Sequence, residues 1–349
     1  MSDDHKKHRS RESAAQNAFI QRRVAGTAVW IAACSMVTLF ARQWWIADLI
    51  ANLRVQLILL LSGALLLTLI MRRRKTATFV AAVTLWHASA VSPAFLPEPG
   101  HFDSSNRSVA STELTATMPA VRVLLANVLT GNRNHDQIVE QIQAADPDVF
   151  AILELSSSLE QSLVEQFGST HKYVVSEPSD GGNFGIGLWS RYPLLNDRVF
   201  HLSVPIVPSI EADVQLPTQT IRVIVTHPVP PMGSRNFAHR NFHLELLAQR
   251  IRKYQDDDPI HSVILLGDLN LTPWSPIFHD FQASTRLENA AAGQGLQPTW
   301  YRWDAFPFGL VLDHGMHSHD LDREQRTILS ANGSDHRPLV MDFSLAESR

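Results

Sequence analysis

The stretch VILLGDLNLTPWSP, Val263 to Pro276, decides the reading of this chain. Four apolar residues run directly into Gly267, Asp268, Leu269 and Asn270, and the chain then turns at Thr272-Pro273. A continuous Val-Ile-Leu-Leu run bounded by turn residues reads as a strand covered on both faces. Side chains alternate along a strand, so Asp268 and Asn270 point the same way at its end. Gly267 admits a close backbone approach. Asp and Asn also serve as ordinary caps and turn residues, so the surroundings must choose between a cap and a site.

Working outward, similar strand ends recur. VRVLLANVL (121–129) is strand-like and ends near Asn127. HDQIVEQIQAADPDVFAILEL (135–155) holds a helix, with Ile138, Ile142 and Ala145 at helical spacing, stopped at Asp146-Pro147. Its last part is a second buried strand ending in Glu154, where an unpaired buried carboxylate would be costly. GIGLWSRYPLLN (185–196) places Arg191 in the turn after a strand. IRVIVTHPVPP (221–231) is a strand terminating in His227. The segment 235–254 has helical periodicity, with Arg235 and Arg240 near its start. Taken alone, each of these arginines reads as part of a solvated face. GLVLDHGMHS (309–318) carries Asp313 and His314, and NGSDHRPLVMDFSL (332–345) sets Asp335 and His336 before a closing strand.

Oxygen donors with imidazoles suit Mg²⁺ or Mn²⁺ better than zinc. Carboxylates, amides for phosphate oxygens and a His–Asp pair meet the needs of metal-assisted phosphoester hydrolysis. On that reading the strand ends polar because a phosphate and a water would sit there. Arg191 and Arg240 are expected as substrate-binding cations.

In order, Asn127 in LLANVL, Glu154 in DVFAILEL, His227 in VTHP, then GDLN, LDHGMHS and SDHRPLV resemble the endonuclease/exonuclease/phosphatase, or DNase I-like, superfamily. Leu153 stands where that family usually has Gln before its metal-binding Glu. The resemblance implies an α/β fold, a four-layer αββα sandwich of two mixed sheets with helices outside. It also implies site roles. Glu154 would be the principal metal ligand, with Asn127 and Asp335. Asp268 would position or deprotonate the attacking water, and Asn270 would bind a phosphate oxygen. His336, paired with Asp313, would act as base or contact the phosphoryl group, and His227 would stabilise the transition state.

The N-terminal third differs in kind. Val24–Ala41, Val55–Met71 and Thr78–Leu96 are uncharged runs near the length of a membrane helix. Basic residues flank them: Lys6, Lys7, Arg9, Arg11, Arg22 and Arg23 before the first, and Arg72 to Lys75 after the second. The positive-inside rule then predicts three spans, a cytoplasmic N-terminus and a large domain outside the cytoplasm. The expected organisation is a basic tail (1–23), a membrane region with three transmembrane helices (24–96), a polar linker (97–119) and a catalytic domain (120–349). These spans resemble the superfamily's membrane-anchored bacterial branch. The runs hold no evident polar cluster, and His87 alone reads as a packing or interfacial residue.

Charge narrows the partners. Residues 1–75 carry 12 Lys+Arg and 4 Asp+Glu, and the remainder carries 18 and 30. An acidic C-terminal part is a poor non-specific binder of nucleic acid. Membrane lipids and a phosphate-ester substrate, lipid-linked in the leading case, are therefore the expected partners. Nucleic acid and an anchored nuclease come second, and a non-catalytic membrane scaffold third. Cys34 stands alone, which excludes an intramolecular disulfide.

Overall fold

The computed structural model describes residues 2–96, 121–257, 262–303 and 305–345. The expected linker, 97–119, lies outside the described residues. The chain divides into two compact units, Met1–Ser92 and Pro93–Arg349.

The C-terminal unit is built on two six-stranded sheets. In the first, the order is β13 (Leu321–Ile328), β14 (Leu339–Leu345), β1 (Val121–Asn127), β2 (Val149–Leu153), β4 (Ile186–Ser190) and β3 (Tyr173–Glu177). In the second it is β5 (Leu194–His201), β6 (Pro208–Gln215), β7 (Thr220–Thr226), β8 (Val263–Asp268), β12 (Asp313–His317) and β9 (Glu288–Asn289). A hairpin of β10 (Trp300–Tyr301) and β11 (Gly309–Leu310) stands apart. Each large sheet is mixed: β1 runs parallel to β2 and β7 to β8, and the other pairings are antiparallel.

Alternation along the strands builds the core. Val121, Val123 and Leu125 of β1 join Val149, Ala151 and Leu153 of β2 in one apolar cluster. Ile221, Val223 and Val225 of β7 and Ile264 and Leu266 of β8 complete it from the other sheet. The intervening Leu124 and Ala126 pack instead with Ile138 and Ile142 of α5 (His135–Ala145) and Leu159 and Leu163 of α6 (Ser157–Phe167). Two further helices, α7 (Ser234–Asp257) and α8 (Pro276–Thr285), belong to the second half of the unit. A row facing the other sheet and a row facing helices is what a strand apolar on both faces requires.

Gly267 sits opposite Thr226 on the parallel neighbour, and a Cβ there would come within 2.3 Å of the Thr226 carbonyl oxygen. The close approach expected at this glycine is therefore to the next strand.

The N-terminal unit is helical: α1 (Ser2–Ser35) with a 3₁₀ turn to Phe40, α2 (Trp45–Asn52), α3 (Arg54–Ile70) and α4 (Arg74–Val91). Ala28 and Ala32, Leu61 and Ala64, and Val80 and Val83 form its apolar centre. The expectation of three transmembrane helices is corrected here. Among the described residues, only the helix Arg11–Phe40 is long and apolar enough to cross a membrane by itself. α2 and α3 reach that standard only together, across a 72° bend. The third run lies in α4, which begins with Arg74 and Lys75 and carries Thr, Ser and His87 among its small residues. A count of three, and the orientation derived from it, loses its basis.

Candidate active site

The two sheets carry their polar residues to one end of the inter-sheet core. On β1 the inward row Val121, Val123, Leu125 continues to Asn127, and on β7 the row Ile221, Val223, Val225 continues to His227. On β8, Ile264 and Leu266 lead to Asp268. β12 runs antiparallel to β8, so its first residue, Asp313, lies directly opposite Asp268. Three strands, β1, β7 and β8, thus each add one polar step to an apolar row, and β12 brings Asp313 to meet them. Asn127, Glu154, His227, Asp268, Asp313 and His336 are all buried.

Asp268 is the hub. Its Oδ1 accepts the backbone N–H of Asn270 at 2.9 Å. Its Oδ2 accepts from Asn127 Nδ2 at 3.3 Å and lies 3.5 Å from His227 Nε2 and 3.6 Å from His336 Nε2. Asn127 Nδ2 also donates to Glu154 Oε1 at 3.1 Å. His336 Nδ1 and Asp313 Oδ2 are 2.7 Å apart.

Backbone geometry presents these groups. Glu154 (φ 59°), Leu129 (φ 63°) and Asn270 (φ 53°) adopt left-handed conformations. Such conformations cost free energy in a residue with a side chain, and they persist only where the surroundings hold them. Glu154 follows the inward-facing Leu153 and is held by Thr130, whose N–H reaches Oε2 at 3.4 Å and whose hydroxyl donates to the Glu154 carbonyl at 3.2 Å.

Electrostatics separates the groups. Burial pushes the Asp268 carboxyl up to about 7, against the pull of His336. Burial likewise raises Glu154. His336 is held up at about 10 by Asp313, overcoming its own burial, and Asp313 is correspondingly lowered. His227 is lowered by burial and is neutral at ordinary pH. The cluster therefore pairs one imidazolium with three buried carboxylates. Asp313 Oδ1 has no hydrogen-bond partner, and carboxylate oxygens of Asp268 and Asp313 lie within 4.8 Å of each other and of a His336 ring nitrogen. Buried oxygen donors short of positive charge suit a hard divalent cation.

Three expected site residues are placed differently. Arg191 follows β4, whose end pairs with the start of β2, so it stands at the opposite end of that strand from Glu154. It ion-pairs with Asp146 and lies 3.9 Å from Asp148. The expectation of a substrate-binding role fails because an antiparallel neighbour carries its following turn to the far edge of the sheet. Arg240, on α7, is buried, and its Nη1 donates to the Asn270 carbonyl at 2.9 Å. Its position supports the loop rather than an open substrate surface. Asp335 is exposed, and its Oδ2 accepts the Trp300 indole N–H at 2.9 Å instead of joining the Glu154–Asn127 pair. Asn270 does lie at the site, with Nδ2 donating to the Pro228 carbonyl at 3.0 Å.

Sequence reasoning also missed supporting groups. Ser334 donates to the Asn127 carbonyl at 2.9 Å and accepts the His336 N–H at 3.0 Å, tying the SDH loop to β1. The Thr299 hydroxyl accepts the N–H of Asp313 at 3.0 Å and of Leu312 at 3.1 Å. Ser334 carried a local signal, being two residues before His336 in a turn. Thr130 and Thr299 carried none.

Comparison with known proteins bears on the family and the fold. The sequence profile described as "Endonuclease/Exonuclease/phosphatase family" matches residues 124–336. No curated protein sequence matches the chain. Among solved structures, the human nocturnin catalytic domain with bound sulfate is 22% identical, covering 65% of this chain and 94% of its own, with a TM-score of 0.53. A mannosyl-6-phosphatase of Bacteroides thetaiotaomicron is 14% identical over 64% of this chain and 100% of its own, at 0.53. TDP2 of D. rerio, complexed with single-strand DNA product, is 15% identical over 64% and 98%, at 0.51. At such identities the likeness concerns the fold.

Proposed function

The chain belongs to the Endonuclease/Exonuclease/phosphatase family, and from that premise we propose a membrane-anchored phosphoesterase of the family's bacterial branch, with residues 120–349 as its catalytic domain. Membership makes it a metal-dependent hydrolase of phosphate esters. The proposed substrate is a phosphoester or pyrophosphate on a lipid. What favours a lipid is the apolar helix Arg11–Phe40 together with the net negative charge of the remainder of the chain.

The observation that carries the reading is the convergence of Asn127, His227 and His336 on Asp268 Oδ2. Glu154 and Asn127 are assigned to hold Mg²⁺ or Mn²⁺, beside the Asp268–Asp313–His336 group. When bound, the ion supplies positive charge to the phosphoryl oxygens. Asp268, at the centre of the donors, orients the attacking water and takes its proton. Its carboxyl, lifted to about 7, is matched to that task near neutral pH. His336, kept protonated by Asp313, donates to a phosphoryl oxygen. His227, neutral, helps stabilise developing charge through Nε2. Asn270 lends its remaining amide N–H to a phosphate oxygen, and Arg240 fixes the carbonyl of that same residue.

The test is hydrolysis by the full chain, with Mg²⁺ or Mn²⁺, of a lipid pyrophosphate, a phospholipid headgroup ester and plasmid DNA. Turnover of a lipid substrate that disappears in Glu154→Ala supports the reading. Nicking of DNA alone would replace it with an anchored nuclease. Activity undiminished by Asp268→Ala would refute the assigned site.

A further inference from the structure

The end of the sandwich that holds the site carries exposed apolar side chains on three separate loops. The turn between β10 and β11 reads RWDAFPF (302–308). Its Trp303 and Phe306 are 62% and 63% exposed, and Phe308 is exposed as well. Trp303 and Phe308 pack edge to face, with ring centres 4.9 Å apart. Ile206, 71% exposed, lies in the turn between β5 and β6, and Met232, 65% exposed, lies between β7 and α7. Strand pairing sets these loops at one end. Ser209, near the start of β6, pairs with Thr226, the last residue of β7, and His227 follows. β11 ends at Leu310, three residues before Asp313.

The aromatic turn is joined to the His336–Asp313 pair through backbone. Trp300 of β10 pairs antiparallel with His336. The Tyr301 N–H donates to the Asp335 carbonyl at 2.9 Å, and the Arg337 N–H donates to the Thr299 carbonyl at 2.7 Å. The Arg337 guanidinium lies 4.3 Å from the centre of the Tyr301 ring. Thr299, the residue before β10, is the one whose hydroxyl accepts the Asp313 N–H. Trp303 is three residues beyond Trp300, so about 10 Å of extended chain separates it from the residue paired with His336.

Large apolar side chains held in water at a reactive end mark a contact surface. Aromatic platforms for nucleic acid sit in grooves of positive charge. Here the turn holds one Arg and one Asp, and residues 76–349 carry 18 Lys+Arg against 30 Asp+Glu. A lipid–water interface takes aromatic rings at headgroup depth and needs no net positive charge. As a membrane helix, Arg11–Phe40 keeps a bilayer at high effective concentration for the rest of the chain. We propose that Trp303, Phe306 and Phe308, with Ile206 and Met232, dock the catalytic unit on a bilayer surface. The His336–Asp313 pair then meets a phosphoester at headgroup level, and the lipid stays in the membrane. Docking in this way rests on the membrane and lipid readings given above. The attraction comes from the rings, so phosphatidylcholine suffices and added salt matters little.

The test uses the full chain in phosphatidylcholine liposomes. Cys34→Ser removes the single cysteine, and Ala305→Cys, between the rings, then takes one nitroxide label. Collisions with oxygen and with a water-soluble nickel chelate read its depth. The label should be open to oxygen and shielded from nickel, and Trp303→Ala with Phe306→Ala should return it to water. A label at Tyr173→Cys should stay in water, because Tyr173 pairs with Ser190 at the opposite end of the sheet. A label in the intact turn that stays in water would overturn the proposal. No substrate is present, so this failure is distinct from failure of the hydrolytic reading. With Mg²⁺ or Mn²⁺ added, turnover of bilayer lipid is compared with that of the same headgroup ester on a short, soluble chain. The Trp303→Ala, Phe306→Ala variant should lower that ratio about tenfold or more, and Tyr173→Ala should not change it. An equal fall on both substrates would assign the rings a structural role and overturn the docking surface.

Discussion

Two buried charged clusters share strands of the second sheet of the C-terminal unit, one on its outer face and one where it meets the first sheet, and they are built on opposite principles. On the face of β6 and β7 turned away from the core, Glu211 and Asp213 meet Arg222, Arg198, Arg250 and Tyr254. Asp213 accepts both Arg222 Nε, at 2.7 Å, and Nη2, at 2.9 Å, from the residue directly opposite it on β7. Glu211 accepts from Arg198, from Arg250 at 2.7 Å twice, and from Tyr254 at 2.6 Å. Its carboxyl is accordingly held below its ordinary value, although burial works against this. At the strand ends, Asp268 and Glu154 are buried with amides and imidazoles, and their carboxyls rise. The first cluster is electrically closed and holds the sheet to α7. The second is left open, and an open buried charge is stabilised only by what binds there.

The strongest test of the contrast is Asp268→Asn. Hydrolysis should fall by about 10²–10⁴-fold while the fold is kept, because the variant removes a base and an uncompensated buried charge together. Steady-state kinetics and a melting curve, measured on one preparation, check both halves. Glu211→Ala should do the reverse. It should cost about 1.5–3 kcal/mol in a urea titration by removing the charged acceptor of Arg250 and Tyr254, with the turnover of folded enzyme unchanged.

Metal addition should stabilise only through the open cluster. Saturating Mg²⁺ or Mn²⁺, at about 100 times Kd, should add about 2.7 kcal/mol to the wild type. That increment should vanish in Glu154→Gln and survive in a stable variant of the Glu211 cluster.

The pH dependence should have opposite signs in the two places. Glu211 has a depressed carboxyl, so its stabilisation is complete above its ordinary 4.5 and is lost as pH falls through the lower folded value. Asp268 has a raised one. In metal-free protein its penalty is complete above about 7 and fades as pH falls towards its ordinary 3.8. Stability of wild type relative to Asp268→Asn should therefore rise over that interval on acidification, and a slope of the other sign would contradict the open-cluster account. The smallest effect belongs to Arg191→Ala. A partly exposed ion pair at the far edge should cost at most about 1 kcal/mol, and activity should stay within the error of the assay.

Legibility followed sequence separation. Strands β1, β2, β4, β7 and β8 and helices α5 and α7 could be read from their patterns, because each pattern is local. So could the presence of Asn127, Glu154, His227 and Asp268 at strand ends. Arg191 and Arg240 were misassigned for one reason. A cation near a strand end looks the same from the sequence whether its turn lies at the active edge, at the opposite edge or behind a loop. Asp335 beside His336 was misread similarly, since adjacent residues in a turn diverge. Ile206, Met232 and Trp303 lie on three loops, and no periodicity within one run announces that they share one end of the sheets.

By itself the sequence determined the chemical inventory: strands apolar on both faces, polar residues where they stop, oxygen and imidazole donors suited to a hard cation, and a basic, apolar N-terminal third. The tertiary structure alone decided which donors share a carboxylate oxygen and which cations are spent on the scaffold. It also decided that, among the described residues, one helix, or two counting the bent pair, rather than three, meets the length and polarity of a span. The physical reason is that patterning is set by neighbours a few residues apart. The field at Asp268 is set by groups brought in from β1, β7, β12 and the loop before β14, whose arrangement exists only after the two sheets have packed.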